Sequence, residues 1–252
     1  MVPAISLLMS PENYEGIIEC AKENGIDHFE IVCDKYCPEN LKVVSAQSLF
    51  NGISINCNSF FWNHKNADEY ADLLIERINN YYNDFNCKNF VFGSPKFRNI
   101  TFDVEYQNAL YFFRKVCDNI PSDAILALEN NPPEYDTNFA TNFRECLGIV
   151  MIVSRKNFKI NFDIGGFIKS KSSVDELTKD NIYWVNHVHV SRFNLLPISE
   201  LSESEIKEYK KIVSHLLKIG YEKSISLEVN IKGDLSKELL SKEVQTFKEI
   251  IQ

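Results

Sequence analysis

Short apolar runs alternate along the whole chain with longer stretches whose apolar residues recur at a helical period, the arrangement that repeated βα units around a parallel sheet require. Eight runs can be read, at residues 4–8, 28–33, 53–58, 89–92, 124–129, 159–163, 185–190 and 224–229. The helical period is clearest over 68–82, where Leu73, Leu74 and Ile78 share a side, and over 204–219, where Ile206, Ile212, Val213, Leu216 and Leu217 do. Ser10, Pro11 and Glu12 read as a helix start, and Gly25, Gly52 and Gly220 as helix ends ahead of the next strand. In 252 residues this predicts an α/β fold, a single (β/α)8 TIM barrel forming one domain over 1–252. The competing open, doubly wound sheet usually carries a glycine-rich phosphate turn after its first strand, and Leu7-Leu8-Met9-Ser10-Pro11 has no glycine.

Charge and cysteine usage narrow the class. A formal charge of -8, with Lys and Arg dispersed among acidic residues, opposes binding to a phosphate backbone, so no nucleic-acid partner is expected. Seven cysteines form no CxxC pair and no zinc-type spacing, and their odd number cannot complete a disulfide framework, so they read as buried thiols. Residues 1–10 lack the basic leader and length of a signal peptide, and no window reaches about 18 apolar residues. A cytoplasmic chain without a membrane partner is expected, with self-association into a homo-oligomer left open.

Alternation along a strand sends successive side chains to opposite faces, so polarity can be tested against parity. Glu129 shares its face with Ile125 and Ala127, Asp163 with Asn161, and Glu228 with Ser224 and Ser226; His189 shares one with Val185 and His187, against Asn186, Val188 and Val190. Each of the last four strands therefore ends on a metal-capable residue facing the barrel, at the C-terminal mouth where barrel enzymes place their chemistry. One acidic strand end alone reads as a salt-bridge or capping residue; four in register read as a site. Two Glu, one Asp and one His make a mostly hard donor set for a divalent metal ion, Mn2+ foremost, then Mg2+ or Co2+, with Zn2+ admitted.

At these residues the chain resembles the xylose isomerase-like barrels, which include sugar and sugar-phosphate isomerases and ketose 3-epimerases. The resemblance runs through Leu128-Glu129-Asn130-Asn131-Pro132, Phe162-Asp163, His187-Val188-His189 and Ser226-Leu227-Glu228, with Gly93-Ser94-Pro95-Lys96-Phe97-Arg98 similar to a further signature of one branch. It implies a metal held by Glu129, Asp163, His189 and Glu228 against neighbouring oxygens of a carbohydrate, with Glu129 and Glu228 exchanging a carbon-bound proton on opposite faces. A cation polarises a carbonyl and stabilises the enediolate formed when the adjacent proton leaves, so one glutamate can act as base and the other as acid. Glu30 resembles a family position that borders the substrate.

Further candidate substrate contacts carry two readings each. His187 reads as a substrate-contacting or ligand-orienting group, or as a satisfied core histidine. Lys96 and Arg98 read as a clamp for phosphate or carboxylate, or as a solvated loop. Phe60, Phe61 and Trp62 read as an apolar wall for a sugar ring, or as packing. Arg192 and Phe193 stand where many relatives have an acidic residue nearby, which points to a more anionic or differently oriented substrate. Many sugar epimerases of the family also carry a histidine three residues after the sixth-strand aspartate; Gly166 stands there instead. A metal-dependent isomerase or epimerase of a sugar or sugar-phosphate derivative is the leading expectation. A lyase or dehydratase acting on a cyclic polyol or keto-sugar, and a non-catalytic sugar-binding barrel, stay open. The apurinic endonucleases of the same family use histidines on the third and fourth strands, and 53–58 and 89–92 have none.

Overall fold

The computed structural model describes residues 1–10, 13–35, 37–38, 40–231 and 236–252. Eight parallel strands close into a barrel in chain order: β1 (Val2–Ser6), β2 (His28–Val32), β3 (Lys42–Gln47), β4 (Asn89–Phe92), β5 (Ile125–Glu129), β6 (Phe158–Asp163), β7 (Val185–Ser191) and β8 (Ser224–Glu228). Seven α-helices are described around it: α1 (Tyr14–Glu23), α2 (His64–Phe85), α3 (Asp103–Asn119), α4 (Phe143–Val153), α5 (Ile164–Lys169), α6 (Glu203–Lys218) and α7 (Lys237–Ile251). The predicted α/β barrel is the observed fold. None of the described helices is long and apolar enough to cross a membrane.

The third strand is not where periodicity put it. Residues 53–58 do alternate, with Ile53, Ile55 and Cys57 packed against the core and their neighbours exposed, but they follow β3 as an irregular segment with no ladder partner among the described residues. The true β3, Lys-Val-Val-Ser-Ala-Gln, turns polar Ser45 and Gln47 inward and leaves only Val44 and the small Ala46 as its apolar outer face. It pairs with β2 over five positions but meets β4 only at Ala46 opposite Phe90. On that side Phe50, Phe60 and Phe92 pack together, with ring centroids 4.4 Å (Phe50–Phe60) and 6.2 Å (Phe50–Phe92) apart.

Helix punctuation holds in part. Gly25 and Gly220 follow α1 and α6 at φ of +77° and +99°, the left-handed geometry that a glycine tolerates at a helix end. Gly52 instead sits in the turn after β3, where a Cβ would overlap the Asp34 carboxylate. Pro11 and Glu12, the expected start of the first helix, lie outside the described residues; α1 begins at Tyr14.

Two distinct interiors result. Outward strand residues such as Phe90, Leu126, Phe162 and Leu227 are buried under the helical stripes, and burying each side chain of this size contributes about 1.5–3 kcal/mol. Phe60 and Phe61 belong to this layer: Phe60 stacks on Phe97 at 5.4 Å and Phe61 packs on Phe112 at 5.6 Å. Inside the barrel, where branched apolar residues usually dominate, Ser6, Glu30, Ser45, Gln47, Asn161, His187, His189 and Ser226 are buried instead. Polar groups removed from water stay stable only when hydrogen-bonded to one another. Here they form one connected network that leads upward to the C-terminal mouth.

Candidate metal centre

The four strand-end residues converge. Glu129, Asp163, His189 and Glu228 each offer one ligand atom, and these atoms all lie within 4.8 Å of one another. His189 Nδ1 lies 2.9 Å from Glu129 Oε1 and 3.1 Å from Glu228 Oε2. Asn131 Nδ2 donates to Glu129 Oε2 and Asn161 Nδ2 to Oε1, each at 2.7 Å. Asp163 accepts the Gly166 N–H at Oδ1 and the Ser191 hydroxyl at Oδ2. It thereby caps α5, which starts at the following residue. Gly93 gives Glu129 its room: a Cβ there would lie 3.0 Å from Oε2.

Behind the centre stands Glu30. Its Oε2 lies 2.9 Å from His189 Nε2 and accepts the Ser45 hydroxyl at 2.7 Å, while Oε1 accepts Gln47 Nε2 at 2.7 Å. One ring nitrogen of His189 therefore faces the three carboxylates and the other faces Glu30, the carboxylate–histidine arrangement that orients an imidazole for a metal. His187 lies deeper, fully buried, with Nδ1 2.7 Å from Ser224 Oγ and Nε2 2.9 Å from Ser226 Oγ.

The electrostatics describe a site crowded with negative charge. Burial, then the charges of Glu129 and Glu228, push Asp163 up to about 8. Burial also raises Glu228. For Glu129 burial is outweighed by the hydrogen bond and charge of His189, and its carboxyl falls below the usual range. Burial would discharge His189, but the surrounding Glu228, Glu30 and Glu129 raise it well above an ordinary histidine. Three carboxylates held this close repel one another, and a small cation between them relieves the repulsion. The donor set thus fits a hard divalent ion. Glu30, His187 and His189 are a second cluster of possible ligands, but direct hydrogen bonds already satisfy them.

Above the centre opens a cavity of about 930 Å³, bounded by Gly93, Ser94, Tyr135, Asn194, Leu195 and Ile231 among others, with Glu129, Asp163 and Glu228 at its base. No Lys, Arg or His is among its described lining residues. Several residues expected to touch substrate lie elsewhere. Lys96 is exposed and off the cavity. Arg98 is fully buried beside the end of β5, donating from Nη1 to Glu129 O at 2.9 Å, with burial lowering its pKa to about 10. Arg192 bonds Pro197 O and Glu200 at 3.3 Å each. Trp62 is 57% exposed ahead of α2, and Glu30 and His187 sit below the floor. The expected anion clamp is therefore not assembled.

Sequence reasoning missed Tyr135, Asn194, Ser191 and Gln47. Alternation does place Ser191 and Gln47 inward once β3 and the end of β7 are known, whereas nothing in the pattern marks the loop residues Tyr135 and Asn194.

A family profile described as xylose isomerase-like TIM barrel matches residues 12–250. No curated protein sequence is similar enough to count as a relative. Among solved structures, the chain is similar to the IOLI protein with a binding zinc atom, at 17% identity and a TM-score of 0.71 over 100% of this chain and 98% of that one. It is similar to D-allulose 3-epimerase from Methylomonas sp., at 13% identity and a TM-score of 0.75 over 99% and 98%. It is also similar to the probable 3-DHS dehydratase AsbF of petrobactin synthesis from Bacillus anthracis, at 16% identity and a TM-score of 0.66 over 98% and 99%. At these identities the likenesses speak for the fold.

Proposed function

This chain belongs to the xylose isomerase-like TIM barrel family, and on that premise we propose that it is a divalent-metal-dependent isomerase or epimerase of a sugar or sugar derivative. The observation that carries the proposal is the convergence of Glu129, Asp163, Glu228 and the Nδ1 of His189 at the base of a large cavity. These four residues would hold the ion, which when bound supplies Lewis-acid polarisation of a substrate carbonyl.

The chain's own groups do the rest. Glu129 and Glu228 come from β5 and β8 and approach the centre from different sides of the mouth. One takes the proton from the carbon beside the carbonyl and the other returns one from across the substrate, which inverts that carbon or moves the carbonyl. Asn131 and Asn161 hold both oxygens of Glu129 in place. Ser191 and the Gly166 N–H do the same for Asp163. Cavity walls such as Leu195 and Ile231 displace water from the reacting carbon, which strengthens every charge interaction beneath it.

Incubating a panel of ketoses with the Mn2+-loaded protein in D2O tests the proposal. Deuterium enters the carbon next to the carbonyl, and isomeric sugars of unchanged mass apart from that label accumulate. Loss of 18 mass units would instead mark the dehydratase reading (about one water). Binding of sugars with no exchange into any of them would overturn catalysis in favour of a sugar-binding barrel.

A further inference from the structure

Beyond Asp163, the end of β6 offers the cavity little. Helix α5 begins at the next residue, and a Cβ on Gly166 would lie 2.8 Å from Asn130 O and 2.9 Å from Asp163 Oδ1, so the place a side chain would occupy there is already filled. Tyr135 is among the residues that do line the cavity. It ends the 3-10 turn Pro133–Tyr135 after β5 and lines the cavity together with Glu129, Asp163 and Glu228. Its ring stacks on Phe193, in the loop after β7, at 5.1 Å.

The hydrogen bonding of the phenol is one-sided. Its oxygen accepts the Asn194 N–H at 2.7 Å, an amide presented by the left-handed φ of 62° at Asn194. A phenol both accepts and donates, and its O–H proton has no acceptor among the described residues. Burial and the charges of Asp163, Glu129 and Glu228 raise its pKa, which keeps the proton in place. A neutral donor suits this position. An acid would add to the repulsion among the three carboxylates, and a base would pair with them and close the site.

We propose that Tyr135 is a substrate-contacting residue, donating its O–H to one hydroxyl oxygen of a polyhydroxy carbonyl compound seated over Glu129, Asp163 and Glu228. This rests on the proposed reading of the centre and adds the group that orients the substrate.

The test is calorimetric binding to the Mn2+-loaded protein, wild type and Tyr135→Phe, of D-fructose, D-tagatose, D-allulose and D-sorbose, followed by the monodeoxy forms of the tightest binder. The phenylalanine keeps the ring on Phe193, and a thermal melt verifies the fold. Loss of the donated bond weakens the parent sugar about 5-fold. The penalty vanishes for the one deoxy analogue that lacks the partner oxygen, which a merely structural effect on the Asn194 loop cannot reproduce. Equal weakening of every analogue, or no weakening of any, overturns the role of Tyr135 and leaves the centre intact. A wild type that binds neither Mn2+ nor any of these sugars overturns the reading of the centre itself and this role with it.

Discussion

Replacing Glu30 by glutamine isolates what the carboxylate behind His189 contributes to cation binding. Glu30 and His189 are both fully buried and 2.9 Å apart, so no water compensates for a change between them. The amide is isosteric, and Gln47, whose Nε2 now donates to Glu30 and Ser6, can turn its own amide so that shape and most hydrogen bonds survive. What is lost is the negative charge beside the imidazole. With a cation in place, that charge would hold the remaining proton on Nε2 and make Nδ1 the stronger ligand. Removing such a partner lowers metal affinity by about 10–100-fold, equivalent to about 1.4–2.7 kcal/mol. Calorimetric titration of Mn2+ into wild type and Glu30→Gln measures it, with the melting temperature of the metal-free proteins as the control for folding. An affinity within about 2-fold of wild type in a folded variant would refute the idea that Glu30 tunes the ligand histidine.

Adding Mn2+ at about 100 times its dissociation constant stabilises the native state by about 2.7 kcal/mol, a rise of about 5–10 °C in melting temperature for a chain of this size; an unchanged melt with excess Mn2+ contradicts the centre. Gly166→Ala places a methyl 2.8 Å from a backbone oxygen that cannot swing away, and it lowers stability in urea unfolding by about 1–3 kcal/mol; a neutral result means that Asn130 yields easily. Glu243 on α7 is fully buried and accepts the Ile198 and Ser199 N–H groups, at 2.9 Å and 3.2 Å, beside the cavity wall. Glu243→Ala strands both donors and costs about 2–4 kcal/mol by the same measurement; a cost below about 0.5 kcal/mol would show that water takes over the role.

The barrel was legible because its outer face is ordinary: Leu126, Leu128, Phe162 and Leu227 alternate with inward residues as a half-buried strand demands. The four strand-end residues were legible for the same reason, since parity alone brought Glu129, Asp163, His189 and Glu228 to one mouth. Parity failed where geometry departs from alternation. β3 hides because the face opposite its polar inward residues, Ser45 and Gln47, carries only Val44 and the small Ala46, a weaker apolar signal than the Ile-rich run at 53–58. Asn186 reads as outward, yet a register irregularity between β6 and β7 lets its Nδ2 donate to Asn89 Oδ1 at 2.7 Å. Lys96, Arg98, Trp62 and Arg192 were misplaced because loop residues carry no periodicity from which a direction can be read. Glu30 was expected beside the substrate from its resemblance to a family position, and it is held one layer below, against His189.

The thin junction between β3 and β4 bears on motion. The ring of strands is fastened there by a clasp of phenylalanines rather than by rungs of a ladder, for one register position joins the two strands. Glu129, Asp163, His189 and Glu228 hang on β5, β6, β7 and β8, neighbours joined to one another over four or five register positions each. Breathing of the barrel concentrates where backbone hydrogen bonds are fewest. The four charged groups thus sit away from the junction with the fewest backbone pairings, on strands whose ladders hold them at the spacing a small ion demands.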